Sequence, residues 1–205
     1  LPEYPEALST PAGTGLPLPL RPEGPSCRDA LGDLPNAEEF VSLDESDSVR
    51  TDDWRSPSEY AAELRCAADE AWRLGYRRIW DPKLLTSSMR TDHTEISRRR
   101  FAETSEGAVE PVSRFFKLPG EGVCNTLRAG TDSARGAFTS PRPIHYEHAR
   151  CVTVREMARL HGFPDWFRLH RTKWHGAREV GNSVPAPLAR AVAEEVARAA
   201  GAPRF

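Results

Sequence analysis

The side chains with chemistry to offer are four cysteines, six histidines and an arginine-rich C-terminal two-thirds. Cys27, Cys66, Cys124 and Cys151 show no Cys-x-x-Cys pairing and no histidine at zinc-ligand spacing. Buried free thiols are therefore the expectation, and no metal. His145 and His161 have no cysteine or carboxylate partner visible in the sequence, so packed or hydrogen-bonded imidazoles are expected there. Arg155, Glu156 and Arg159 fall at helix-neighbour spacing, which reads as a surface ion-pair group of small energetic worth. Arg98-Arg99-Arg100 is a basic run, but three successive side chains diverge in any regular structure. It reads as a general phosphate contact or a solvated turn. Gly181-Asn182-Ser183-Val184-Pro185 has the form of a helix start: a glycine turn, a capping serine and a first-turn proline.

The charges are unevenly placed. Residues 1–76 hold 6 basic and 16 acidic groups, residues 77–150 hold 13 and 9, and residues 151–205 hold 9 and 5. The net charge of −2 therefore hides a basic C-terminal portion, a weak pointer to a polyanion because phosphate neutralisation supplies much non-specific nucleic-acid affinity. A solvated mixed-charge surface would look the same. No apolar run is long enough to span a bilayer and no secretory signal opens the chain, so a cytoplasmic protein is expected, with no membrane partner. A start at Leu1 instead of Met suggests a piece of something longer.

Four helix starts must position these residues. Ser26 with Asp29 begins a short helix that should stop near Gly32. Ser56-Pro57-Ser58-Glu59 predicts a helix capped by Ser56 and running to about Leu74, with Tyr60, Ala61, Leu64, Ala67, Ala68, Ala71 and Trp72 on its apolar face. Thr153-Val154-Arg155-Glu156 forms a capping box, and Gly162 and Pro164 end the helix it opens. The last helix should begin near Ser183, place Leu188, Val192 and Val196 on one stripe, and end at Gly201. Seven prolines within residues 1–25 make an extended connector. The acid-rich residues 33–53 read as a solvated loop. Residues 76–150 read as short strands and long loops broken by Gly120, Gly122, Gly130 and Gly136, and the five tryptophans read as packing anchors.

Residues 149–165, Ala-Arg-Cys-Val-Thr-Val-Arg-Glu-Met-Ala-Arg-Leu-His-Gly-Phe-Pro-Asp, are followed by residues 180–189, Val-Gly-Asn-Ser-Val-Pro-Ala-Pro-Leu-Ala. In order and spacing the pair closely resembles the last two conserved blocks of DNA cytosine-5 methyltransferases. Upstream, residues 125–131 and 141–145 resemble the end of the target-recognition region of bacterial members, and residues 29–35 loosely resemble the segment after the catalytic core. The family's Pro-Cys nucleophile, Phe-x-Gly-x-Gly turn and Glu-Asn-Val segment are absent: Cys27, Cys66, Cys124 and Cys151 follow Ser26, Arg65, Val123 and Arg150. No catalytic residue is assigned to this chain.

The resemblance implies an α+β fold: a small, irregular, β-rich target-recognition domain with short helices, plus a C-terminal helix that packs on a doubly wound methyltransferase domain outside this sequence. Residues 1–55 would form the connector, 56–150 the recognition region, and 151–205 the closing blocks. It also implies S-adenosylmethionine as cofactor, bound mainly by the other domain and bordered here by Asn182, Ser183 and Val184. Double-stranded DNA is the implied partner, contacted by glycine-rich loops through Arg128, Thr131, Arg135 and Arg142, and more weakly by Arg90, with Arg155 architectural. Two rivals remain open: a recognition subunit of a split methyltransferase, and a non-catalytic DNA-binding module.

Overall fold

The structure, a computed structural model, describes residues 1–15, 21–66, 80–130 and 143–201. Among these residues six α-helices form: α1 (Cys27–Leu31), α2 (Glu59–Leu64), α3 (Glu95–Glu103), α4 (Val154–Leu160), α5 (Lys173–Asn182) and α6 (Ala186–Ala199). Regular strand is sparse among the described residues. Val49–Arg50 (β1) pairs antiparallel with Leu84–Leu85 (β2), in the register Val49 to Leu85 and Arg50 to Leu84. Isolated bridges tie Val109 to Phe116, and Ile144 to both Lys117 and Cys151. Among its described residues the expected β-rich region is therefore mostly irregular backbone, with Pro111, Pro119, Gly120 and Gly122 interrupting the apolar runs before a ladder can extend.

Capping boxes form at the Ser26 and Thr153 helix starts, whereas the box expected between Ser56 and Glu59 does not form. The Ser26 hydroxyl accepts from the Asp29 amide and the Asp29 carboxylate accepts in return from the Ser26 amide. Thr153 and Glu156 repeat the arrangement at the start of α4, satisfying amides that a helix start leaves open. At α2 the cap is Ser58, whose hydroxyl accepts from the Ala61 amide and donates to the Asp29 carbonyl. This displaces the expected Ser56 cap and leaves Pro57 outside the helix. The predicted continuation beyond residue 66, with Trp72, lies outside the described residues. The acidic stretch is not a solvated loop. Two 3-10 turns (Ala37–Glu39 and Val41–Asp44) bury Ala37 and Leu43, and Leu34 joins them in the core. Their apolar side chains lack helical period, which is why the sequence hid them.

One core gathers Leu31, Leu43, Leu85, Leu118, Val152, Met157, Ala158 and Val180, all buried. Helix α4 lies at its centre, packed between α1 and α5, while α1 also packs on α2. The arginines of α4 overturn the surface reading: Arg155, Glu156 and Arg159 are 1%, 3% and 0% exposed. Arg159 donates to Asp33 at 2.9 Å, to Asp165 at 2.6 and 2.7 Å, and to the Ala30 carbonyl at 3.0 Å, joining α1 to the turn after α4. Arg155 donates to Thr86 Oγ1 and to the carbonyls of Pro164 and Phe167. Arg150 forms a bidentate pair with Glu156 at 2.7 and 2.8 Å. Architectural is thus the right word for Arg155, and it holds for all three.

Candidate functional site

Residues 123–130 form an irregular segment leading toward residues 131–142. Its base is fixed: the Cys27 amide donates to the Gly122 carbonyl at 2.8 Å, and the Leu127 side chain is buried in the main core. Next to that anchor Arg128 is exposed. Among the described residues no hydrogen bond or ion pair engages the Arg128 side chain. Thr131, Arg135 and Arg142 lie outside the described residues. Arg90 differs from Arg128, since its guanidinium faces the Asp44 carboxylate at 3.3 Å and its charge is already compensated.

The 181–185 segment is not a glycine turn opening the last helix. Gly181 and Asn182 complete α5, and Ser183 is the residue that ends it. The Ser183 hydroxyl donates to the Val180 carbonyl at 2.6 Å, and its own carbonyl accepts from His161 Nε2 at 3.1 Å. Helix α6 instead starts after Pro185, with Pro187 in its first turn and no side-chain cap. Helix α5 went unforeseen because its ten residues carry Gly176 and Gly181, both unfavourable in a helix. Each is required by close packing. A Cβ on Gly176 would meet Val154 at 2.7 Å, and one on Gly181 would meet the backbone of Arg128 and Ala129 at 2.4 Å. The α5–α6 junction and the Arg128 segment are therefore in direct backbone contact, a juxtaposition of distant parts of the chain that sequence reasoning did not find.

At that junction Asn182 is exposed, and no partner engages its side chain among the described residues. Val184 is exposed as well. Beyond it α6 buries none of its residues, and Leu188, Val192 and Val196 are 53%, 45% and 49% exposed along one stripe. The stripe and the end at Gly201, where φ is +71°, agree with the sequence.

The titratable groups nearby are structural in character. Burial pushes the thiols of Cys27 and Cys124 up to about 12, and that of Cys66 is also raised by burial, so these three stay protonated and poorly nucleophilic. Cys27 and Cys124 line a cavity of about 170 Å³ together with Ala30, Tyr60 and Leu160. Burial pulls His145 down to about 3 despite the opposing Glu156 carboxylate, and its Nδ1 accepts from the Glu147 and His148 amides. His145 and His161 are thus packed, hydrogen-bonded groups, as expected. Burial alone would raise Glu156, but the charge and hydrogen bonds of Arg150 hold it well below the usual carboxylate range. Among the described residues no group of three or more histidine, cysteine or acidic side chains is placed to hold a metal ion, and no helix is long and apolar enough to cross a membrane.

The model of the C-5 cytosine-specific DNA methylase family matches residues 20–198. The Type II methyltransferase M.XorII of Xanthomonas oryzae is 58% identical over 192 residues, covering 92% of this chain and 45% of that protein. DNA (cytosine-5)-methyltransferase 1 of Gallus gallus is 48% identical over 61 residues, which is 30% of this chain and 4% of that one. A crystal structure described as a DNA modification methyltransferase encoded within an E. coli prophage superposes with a TM-score of 0.60 at 28% identity, covering 91% of this chain and 51% of that one. The chain thus spans about half the length of the bacterial proteins it matches end to end.

Proposed function

The chain belongs to the C-5 cytosine-specific DNA methylase family, and from that premise we propose that it is the DNA-recognition and C-terminal part of a DNA cytosine-5 methyltransferase, the methyl transfer being performed by residues outside it. The observation that carries the reading is the contact between the segment that bears the exposed Arg128 and the α5–α6 junction. It brings a group suited to DNA beside the residues that the family resemblance assigns to the methyl donor. The lack of any Pro-Cys pair and the protonated state of three of the four thiols support placing the nucleophile elsewhere.

S-adenosylmethionine is the general methyl donor of such enzymes, and the residues here fit one edge of it. Asn182 has its amide side chain open, and the first amides of α6 have no side-chain cap, an arrangement that suits a carboxylate. Ser183 contributes less than the resemblance implies, because its hydroxyl and carbonyl are both engaged within the fold. The thiol-lined cavity, at about 170 Å³, is small beside the roughly 300–1,000 Å³ of ordinary ligand sites. When bound, the donor supplies an electrophilic methyl group. This chain orients its polar end through Asn182 and shields it with Val184, while the exposed α6 stripe docks on the domain that holds the remainder.

In the same reading Arg128, with Thr131, Arg135 and Arg142, contacts phosphates and base edges of a duplex held between the two parts. Extruding the target cytosine costs about a few kcal/mol of stacking and pairing, offset by contacts to the opened helix. Arg90 is the weakest of these assignments, given its pairing with Asp44. The test is reconstitution: the chain, a complementary half carrying the Pro-Cys and Phe-x-Gly segments, and both together, each assayed for transfer of labelled methyl groups to DNA. Product from the pair alone is expected, and product from the chain by itself would refute the proposal. DNA binding without product in any combination would favour a non-catalytic module.

A further inference from the structure

Helix α5 carries a glycine at its penultimate position, where the backbone is not left-handed. Conformation does not demand glycine there; space does. A Cβ built on Gly181 would lie 2.4 Å from the Ala129 amide nitrogen, 2.4 Å from the Arg128 carbonyl carbon and 2.7 Å from its oxygen. All three atoms belong to backbone, so no rotamer change relieves the clash. One of the two segments would have to move. Helix α5 is the firmer, with Gly176 seated on Val154 and with Ala177 and Val180 buried in the core. The 123–130 segment has no secondary-structure ladder and is held by the buried side chain of Leu127, with Cys124 packed on the same core further back.

We infer that Gly181 is a positioning residue for target reading: by giving up its side chain it seats the Arg128 segment on the last turn of α5 and fixes where that guanidinium meets DNA. This rests on the reading that the Arg128 segment contacts DNA. Glycine in this block thereby serves the recognition side as well as the junction itself. Any side chain at position 181 displaces the reader while leaving the helix that bears Asn182 in place.

Steady-state kinetics of the complete enzyme test this, with Gly181→Ala compared to wild type. The expected result is a KM for DNA raised about tenfold or more, since a displacement on the order of 1 Å is costly to a positioned contact, with the donor KM and the rate at saturating DNA within about twofold. A DNA KM within about twofold of wild type would overturn the inference. So would a joint rise of both KM values with a falling rate, which marks general loss of structure. Should Gly181→Ala fail to fold, Leu127→Ala, which frees the same segment from the other side, decides on the same criteria. Arg128→Ala separates the two levels of argument. If it leaves DNA binding intact, the proposed role of the segment falls; if it weakens DNA binding and Gly181→Ala does not, only the role of Gly181 falls.

Discussion

Arg159 shows how much a single side chain can carry in this fold. Fully buried, it satisfies Asp33 and Asp165 together, so removing it takes from each buried carboxylate its nearest cation and leaves only the longer pairs with Arg65 at 3.6 Å and Arg155 at 3.9 Å. Arg159→Ala should destabilise the chain by about 3–5 kcal/mol, read as a lower urea midpoint. Arg159→Lys should recover only part of that, since an ammonium cannot reproduce the forked geometry. The buried Glu156 and His145 set the acid limit, and their signs agree. Glu156 is held below its ordinary value, so its contribution is complete above the unfolded carboxylate range and is lost as pH falls through its lowered folded value. His145 is neutral in the fold down to about 3 but protonates in the unfolded chain near 6.5. Stability should therefore decline from about pH 6.5 toward 3, steepening once carboxylates protonate. Urea midpoints at pH 7.5, 5.5 and 4.5 check this, and a flat profile would contradict the buried assignment of both groups.

Among the elements, α4 and α6 have opposite characters. Helix α4 is enclosed by α1 and α5 and begins at a complete capping box, so Thr153→Ala should cost about 1 kcal/mol, measurable by thermal or urea unfolding. Helix α6 buries nothing, which makes its apolar stripe a surface without an internal role. Val192→Lys should therefore change the stability of the chain by no more than about 0.5 kcal/mol while impairing assembly with the complementary half in the reconstitution assay. Equal assembly by the variant would remove α6 as the docking element. Both elements are written into the sequence, α4 by its capping residues and α6 by its three-and-four spacing. Helix α5 is not, because Gly176 and Gly181 lower local helix preference and only the neighbours they admit stabilise the helix.

For the molecule as a whole, the exposed Leu188, Val192 and Val196 predict self-association of the isolated chain. Sedimentation at rising concentration should reveal it, and addition of the complementary half should suppress it. The sequence by itself determined family membership, the caps of α1 and α4, the end of α6 and the absence of any Pro-Cys pair, because each is a matter of residue type at short spacing. Tertiary structure alone decided that Arg155, Glu156 and Arg159 form a buried network, that the acidic stretch folds onto the core, and that Gly181 meets the Arg128 backbone. Those outcomes depend on which distant segments come together, as Asp33 does with Arg159 across 126 positions. Burial reverses the meaning of a charge: three residues that read as a solvated ion-pair group become, once desolvated and fully hydrogen-bonded, the joint that ties α4 to α1, to Thr86 and to the turn that follows it.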